Sequence, residues 1–133
     1  MSFEKRLTEM GIVLPEAPKP AAIYVPAVTI NDLVFLSGQA CTINGKLQYE
    51  GKLGKDLTIA EGQEAARTCM INLLSALKQE IGSLDRVERI VNVKGYINSA
   101  SGFVEQPYVM NGASQLLESI FGEVGKHSRC ALA

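Results

Sequence analysis

The sequence lacks any apolar run long enough to span a bilayer and any excess of one charge, and each shortage excludes a class of protein. Thirteen Lys and Arg stand against fourteen Asp and Glu, a formal net charge of −1. No basic footprint for sequence-independent nucleic-acid binding is present. Cysteine is scarce: Cys41, Cys69 and Cys130 form no CxxC pair, and the sole histidine, His127, makes no zinc site with them at recognisable spacing. The thiols read as reduced and the compartment as cytoplasmic. Met1 to Met10 carries Glu4, Lys5, Arg6 and Glu9 where a signal peptide needs an apolar core. Phosphate loops, dinucleotide fingerprints, nucleophile elbows and metal motifs are also missing, so the sequence calls for no metal and no cofactor.

What is there suffices for one domain over residues 1–133, since 47% of the residues are hydrophobic and 20% charged. Residues 2–12 predict a short helix closed by Gly11, followed by a connector with Pro15, Pro18 and Pro20 that ends the N-terminal section at residue 20. From residue 21 the pattern is β: Ala22–Thr29, broken by Pro26, then an Asn31-Asp32 turn and Leu33–Ser37 make a hairpin. Asn44-Gly45 separates two shorter strands, Ala40–Ile43 and Lys46–Tyr49.

Thr58-Ile59-Ala60-Glu61 is a capping box, and the helix it starts carries Ala66, Met70, Leu73, Leu77 and Ile81 on one stripe before Gly82 stops it. Cys69 lies on that stripe and reads as a small core residue. Val87–Asn98 follows as a strand with Val91, Val93 and Ile97 on its buried face. A second helix opens near Phe103, with Tyr108, Val109, Ala113, Leu116, Leu117, Ile120 and Phe121 as its stripe, and a last strand begins at Arg129. This order predicts an α+β two-layer domain: a mixed sheet with two main helices on one face. The other face of the sheet then needs a cover, and another copy of the chain is the simplest one.

Candidate site residues are few. Leu33–Leu36 is a buried-strand pattern that stops on Ser37-Gly38-Gln39, which is either a plain turn or polar groups delivered to one point beside a glycine that admits a close neighbour. Arg129 lies before an apolar Cys-Ala-Leu-Ala run, where its planar fork serves either an internal carboxylate or the carboxylate of a small ligand. His127 reads as a loop residue rather than a general base, with no Ser, Cys or carboxylate placed by sequence to work with it. Asn111 sits inside the second helix.

Taken together, Tyr24-Val25-Pro26, Leu36-Ser37-Gly38-Gln39, Val91–Asn98, Asn111-Gly112-Ala113-Ser114 and His127-Ser128-Arg129 resemble the Rid, or YjgF-type, family, also called L-PSP endoribonuclease-like. The resemblance runs from about Pro20 to Ala133 and is closest to a branch with an extra N-terminal helix. It implies a chorismate-mutase-like fold and a homotrimer with clefts between subunits. It also implies a deaminase that hydrolyses small 2-imino or 2-enamino acids to 2-oxo acids and ammonia. On that analogy Arg129 clamps the substrate carboxylate, Tyr24 and Ser37 shape the pocket and hold water, and Gly38, Gln39, Asn111 and Ala131 line it.

In the family a pocket cysteine often stands two residues after the arginine, where this chain has Ala131, and Cys130 falls on the opposite face of the strand. The family also continues into a further strand bearing a water-orienting glutamate, and no equivalent precedes Ala133. A small-carboxylate binder without turnover is therefore the alternative function, and a ribonuclease role ranks last on charge.

Overall fold

The computed structural model describes residues 2–133. Helix α1 (Phe3–Glu9) starts where the Ser2 hydroxyl accepts the Lys5 backbone N–H, and the chain leaves it through Gly11 at φ 72°. Its Phe3 ring meets Phe121 edge-on at 4.8 Å, and Leu7 is buried beneath it. Ser2 Oγ and the Glu4 backbone N–H both donate to the Asp85 carboxylate, which those bonds hold below the usual carboxylate range. This helix is shorter than the residue 2–12 prediction, because residues 10–12 turn away at Gly11.

Strands β1 (Ala27–Ile30) and β2 (Leu33–Leu36) form an antiparallel hairpin whose tight turn is allowed by Asn31 at φ 52°. Strand β1 begins just after Pro26, so residues 22–26 are not strand as the alternation suggested; Pro26 lacks the N–H a ladder needs. β3 (Thr42–Ile43) and β4 (Lys46–Leu47) pair around Asn44 and Gly45, both at positive φ, and are shorter than predicted.

Helix α2 (Ile59–Ile81) has both halves of the Thr58–Glu61 capping box and ends at Gly82, φ 89°. Both limits were legible because caps are local chemistry. Cys69, predicted as a small core residue, is only half-buried on α2, outside the core cluster; its thiol is nonetheless pushed up to about 12 by burial, aided by neighbouring Cys41. Helix α3 (Gln106–Phe121) has Pro107 in its first turn and lies against α2. The crossing is close because Gly112 has no side chain; a Cβ there would fall on the Gln63 backbone. Tyr108 is exposed, contrary to the stripe predicted for it, because the buried face of this turn is carried by Gln106, Val109 and Met110.

The predicted 87–98 strand is β5 (Asn92–Tyr96) alone. Residues 84–86 form a 3₁₀ turn, and Val91 is exposed rather than buried. β5 pairs in parallel with β6 (Ser128–Leu132), in register Val93 with Arg129 and Gly95 with Ala131. At Gly95 a Cβ would fall on the Met110 side chain of α3, which would have to move aside.

The expected single mixed sheet is corrected to three two-stranded sheets, β1–β2, β3–β4 and β5–β6, among the described residues. Alternation in a sequence reports which face a strand buries, not which neighbour it pairs with. The two-layer arrangement survives: the hairpin packs on α2, β6 packs on α3, and the core joins Leu74, Leu77, Leu84, Leu117 and Ile120 between them. The outward face of the hairpin is apolar, and that of β5–β6 is mixed, with Asn92, Lys94, Ser128 and Cys130 beside one apolar pair. Val28, Ile30, Leu33 and Phe35 share one face of the hairpin, and Tyr96 and Leu132 are register partners on the outer face of β5–β6. No helix among the described residues is long and apolar enough to cross a membrane.

Candidate functional site

Strand β6 turns alternate residues toward α3, so His127, Arg129 and Ala131 are half-buried while Ser128, Cys130 and Leu132 are exposed. Cys130 is thus on the face opposite Arg129, as alternation predicted. On α3, Asn111 and Ser114 are three residues apart and share a face. The strand and the helix bring these four side chains together.

Arg129 does not pair with a carboxylate of the described residues, whose two ion pairs are Lys78–Glu4 and Lys126–Glu123. Its Nη1 donates to Asn111 Oδ1 at 3.0 Å and to Ser114 Oγ at 3.1 Å, and its Nη2 donates to the Pro107 carbonyl at 3.0 Å. A guanidinium only donates, so the Asn111 amide must turn its oxygen toward it. Three of five N–H donors are spent on neutral acceptors. The Nε–H and one Nη2–H have no partner among the described residues, and the positive charge stays uncompensated.

His127 is not the partnerless loop residue the sequence suggested. Its Nε2 lies 2.9 Å from Ser114 Oγ and its Nδ1 lies 2.6 Å from the Gly125 carbonyl. Ser114 is the residue sequence reading missed. It stood in the Asn111-Gly112-Ala113-Ser114 motif without a role, and its spacing from Asn111 on one helix face acquires meaning once β6 is laid against α3.

The second group of predicted residues lies at the base of the hairpin. Ser37 Oγ donates to the Val25 carbonyl at 2.6 Å, and the Ser37 backbone N–H donates to the Pro26 carbonyl at 2.9 Å. That hydroxyl hydrogen is spent, leaving lone pairs free to accept. The Tyr24 hydroxyl accepts the Ala21 N–H at 3.3 Å while its ring is exposed. Gly38 borders open space, with no heavy atom within 4 Å of where a Cβ would stand, and Gln39 beside it is half-buried.

The chain leading out of this group is fixed by Asn72, another residue the sequence did not announce. Buried in α2, its Nδ2 donates to the carbonyls of Ala40 and Thr42 at 3.1 and 2.9 Å. No hydrogen bond or ion pair among the described residues links the Ser37 group to the Arg129 group within one chain. Nor do three His, Cys, Asp or Glu side chains gather anywhere among those residues as metal ligands do.

Residues 4–133 match the model of a family described as "YjgF/chorismate mutase-like, putative endoribonuclease". The chain is 44% identical over 127 residues to Protein TCP17 of Trypanosoma cruzi, covering 95% of this chain and 79% of that one. A crystal structure of a "putative endoribonuclease" from Shewanella oneidensis superposes with a TM-score of 0.95 at 38% identity, over 99% of this chain and 87% of that one. A protein of unknown function from Agrobacterium tumefaciens superposes at 0.87 with 37% identity, over 98% and 79% of the two chains. The mixed α+β domain with its small sheets and long paired helices is therefore the YjgF/chorismate mutase-like fold, and this chain belongs to that family.

Proposed function

We propose that Arg129 binds the carboxylate of a small 2-imino or 2-enamino acid, and that the site hydrolyses the bound molecule to a 2-oxo acid and ammonia. The observation that carries this reading is the state of the guanidinium. It is held by three neutral acceptors, keeps its full charge, and has two N–H donors left to match the two oxygens of one carboxylate. An imine carbon is already electrophilic, so the chemistry asks for a positioned substrate and one water and not for a strong nucleophile. Water adds at that carbon and ammonia leaves with the former imine nitrogen.

The assembly we propose is a homotrimer, with Tyr24, Ser37, Gly38 and Gln39 of one subunit facing Arg129, Asn111 and Ala131 of the next. The uncovered apolar residues on the sheet faces support it, since a lone chain would leave Phe35 61% and Tyr96 75% exposed to water. The localisation we propose is cytoplasmic, following the reduced thiols.

The decisive test is ammonia release from freshly generated 2-aminoacrylate. Arg129→Ala is expected to abolish it while leaving the oligomer intact, and unchanged turnover overturns the reading. One observation favours the alternative of binding without turnover: Asn111, Ser114 and Pro107 surround Arg129 with neutral groups only, so no carboxylate stands ready there to activate water. In that case millimolar 2-oxobutyrate raises the melting temperature and 2-aminoacrylate is not consumed. A ribonuclease role, which the names of some relatives suggest, draws no support from a net charge of −1.

A further inference from the structure

Several helix hydroxyls in this protein share one resting place. Thr8, Thr68 and Ser75 each donate to the carbonyl four residues back, those of Glu4, Glu64 and Ile71, at 3.3, 3.1 and 3.1 Å. That back-bond is where a mid-helix hydroxyl commonly settles. Ser114 departs from it, and its Oγ bridges His127 Nε2 and Arg129 Nη1 instead.

The direction of each bond in this bridge is fixed by chemistry. The Gly125 carbonyl has no proton to give, so its 2.6 Å contact with His127 Nδ1 places the ring proton on Nδ1. In the neutral ring Nε2 then carries a lone pair, which takes the single hydrogen of the Ser114 hydroxyl. With that hydrogen spent, Ser114 Oγ presents a lone pair to Arg129 Nη1, which can only donate. Arg129 therefore donates to Ser114, Ser114 to His127, and His127 to the Gly125 backbone. Bonds aligned head to tail in this way polarise one another.

Building on the carboxylate reading of Arg129, we infer that Ser114 is the positioning residue for its guanidinium, and that His127 is the acceptor that holds the Ser114 hydroxyl off its own helix. Without His127, the hydroxyl is free to fall back onto the Met110 carbonyl, four residues earlier. Nη1 then keeps only Asn111, and the planar fork can swing about its long stem, so that Nε–H and the free Nη2–H no longer point one way. Every anchor in the relay is uncharged. An acidic residue in place of Ser114 would hold the fork as firmly but neutralise the charge a ligand needs.

Because His127 is the sole histidine, long-range proton–nitrogen NMR of the intact protein reads its tautomer without assignment variants. In mildly alkaline buffer the neutral ring is expected to carry its proton on Nδ1, and a ring protonated on Nε2 overturns the relay. Calorimetry with 2-oxobutyrate is expected to show about a tenfold loss of affinity in Ser114→Ala, the scale of one lost hydrogen bond to a charged group. In the same variant the Arg129 guanidinium resonances average as the group rotates. Ser114→Thr, which keeps the hydroxyl, restores both. A Ser114→Ala protein that binds 2-oxobutyrate as wild type does overturns the inference. Should Arg129→Ala bind the probe as well as wild type, the carboxylate reading falls separately. The relay is then decided by the ligand-free spectra of Ser114→Ala, where averaged Arg129 signals uphold it and unchanged ones overturn it.

Discussion

At the scale of single residues, Arg129 works because a planar five-donor group is asked to do two jobs at once. Three N–H bonds hold it against α3 and two remain for a ligand. Lysine has three donors on one freely rotating nitrogen and cannot divide them this way. Arg129→Lys is therefore expected to weaken 2-oxobutyrate binding by about tenfold or more despite the conserved charge, as read by calorimetry. Affinity equal to wild type would show that only the charge matters.

Arg129 could be singled out in the sequence because a guanidinium beside an apolar strand demands a partner. Ser114 and Asn72 could not. Each is an ordinary polar residue within a helix, and its role depends on a carbonyl or ring 13 to about 30 residues away, which no local pattern encodes.

At the scale of elements, the helix limits were readable and the strand partners were not. A cap is closed by atoms within four residues, so Thr58, Glu61 and Gly82 announce α2 by themselves. A strand is defined by its ladder, and parallel β5–β6 pairing joins segments about 36 residues apart with α3 between them.

The α2–α3 crossing depends on Gly112 in a way that admits no substitute, since any Cβ there meets the Gln63 backbone and neither helix can yield alone. Gly112→Ala is expected to cost about 3 kcal/mol, or roughly a 10 °C lower Tm by calorimetry. A Tm within a degree of wild type would mean the helices separate freely.

The clasp of α1 gives a prediction in pH. Asp85 is held below its ordinary carboxylate range by the Glu4 N–H, then by Ser2, so the folded state favours its ionised form. A depressed folded-state value contributes stability above the unfolded value, and this is lost as pH falls through the folded one. Asp85→Asn should lower Tm at about pH 6, and its deficit should shrink steadily as pH falls through the acid range and the Asp85 carboxylate is protonated. A deficit that persists unchanged in acid would assign the effect to packing rather than charge.

At the scale of the whole molecule, the hairpin shows one face to α2 and an apolar face to the outside. The apolar run Leu33–Leu36 reads in the sequence as a buried strand, yet Leu33 and Phe35 are exposed together with Val28 and Ile30, because a chain read alone does not say whether a second helix layer or a second subunit covers that face. Phe35→Glu is expected to turn the proposed trimer into monomers in light scattering while leaving the α2–α3 core folded by circular dichroism. A trimer that survives the change would place the interface elsewhere. Loss of ammonia release along with the trimer would agree with a cleft shared between subunits.

The attachments of α1 carry a consequence for how the protein is made. Ser2 and Glu4 reach Asp85 across 83 and 81 residues, and Arg6 donates to the Ile120 carbonyl across 114. Phe3 likewise waits for the ring of Phe121. Helix α1 is thus fastened only once distant, later parts of the chain are in place. Before the end of α3 is made, α1 has residues 84–86 to hold it but its apolar face lacks Phe121, so closure follows the arrival of the end of α3. Nascent chains halted before residue 120 should be open to protease at residues 3–12, and chains extended past it should resist.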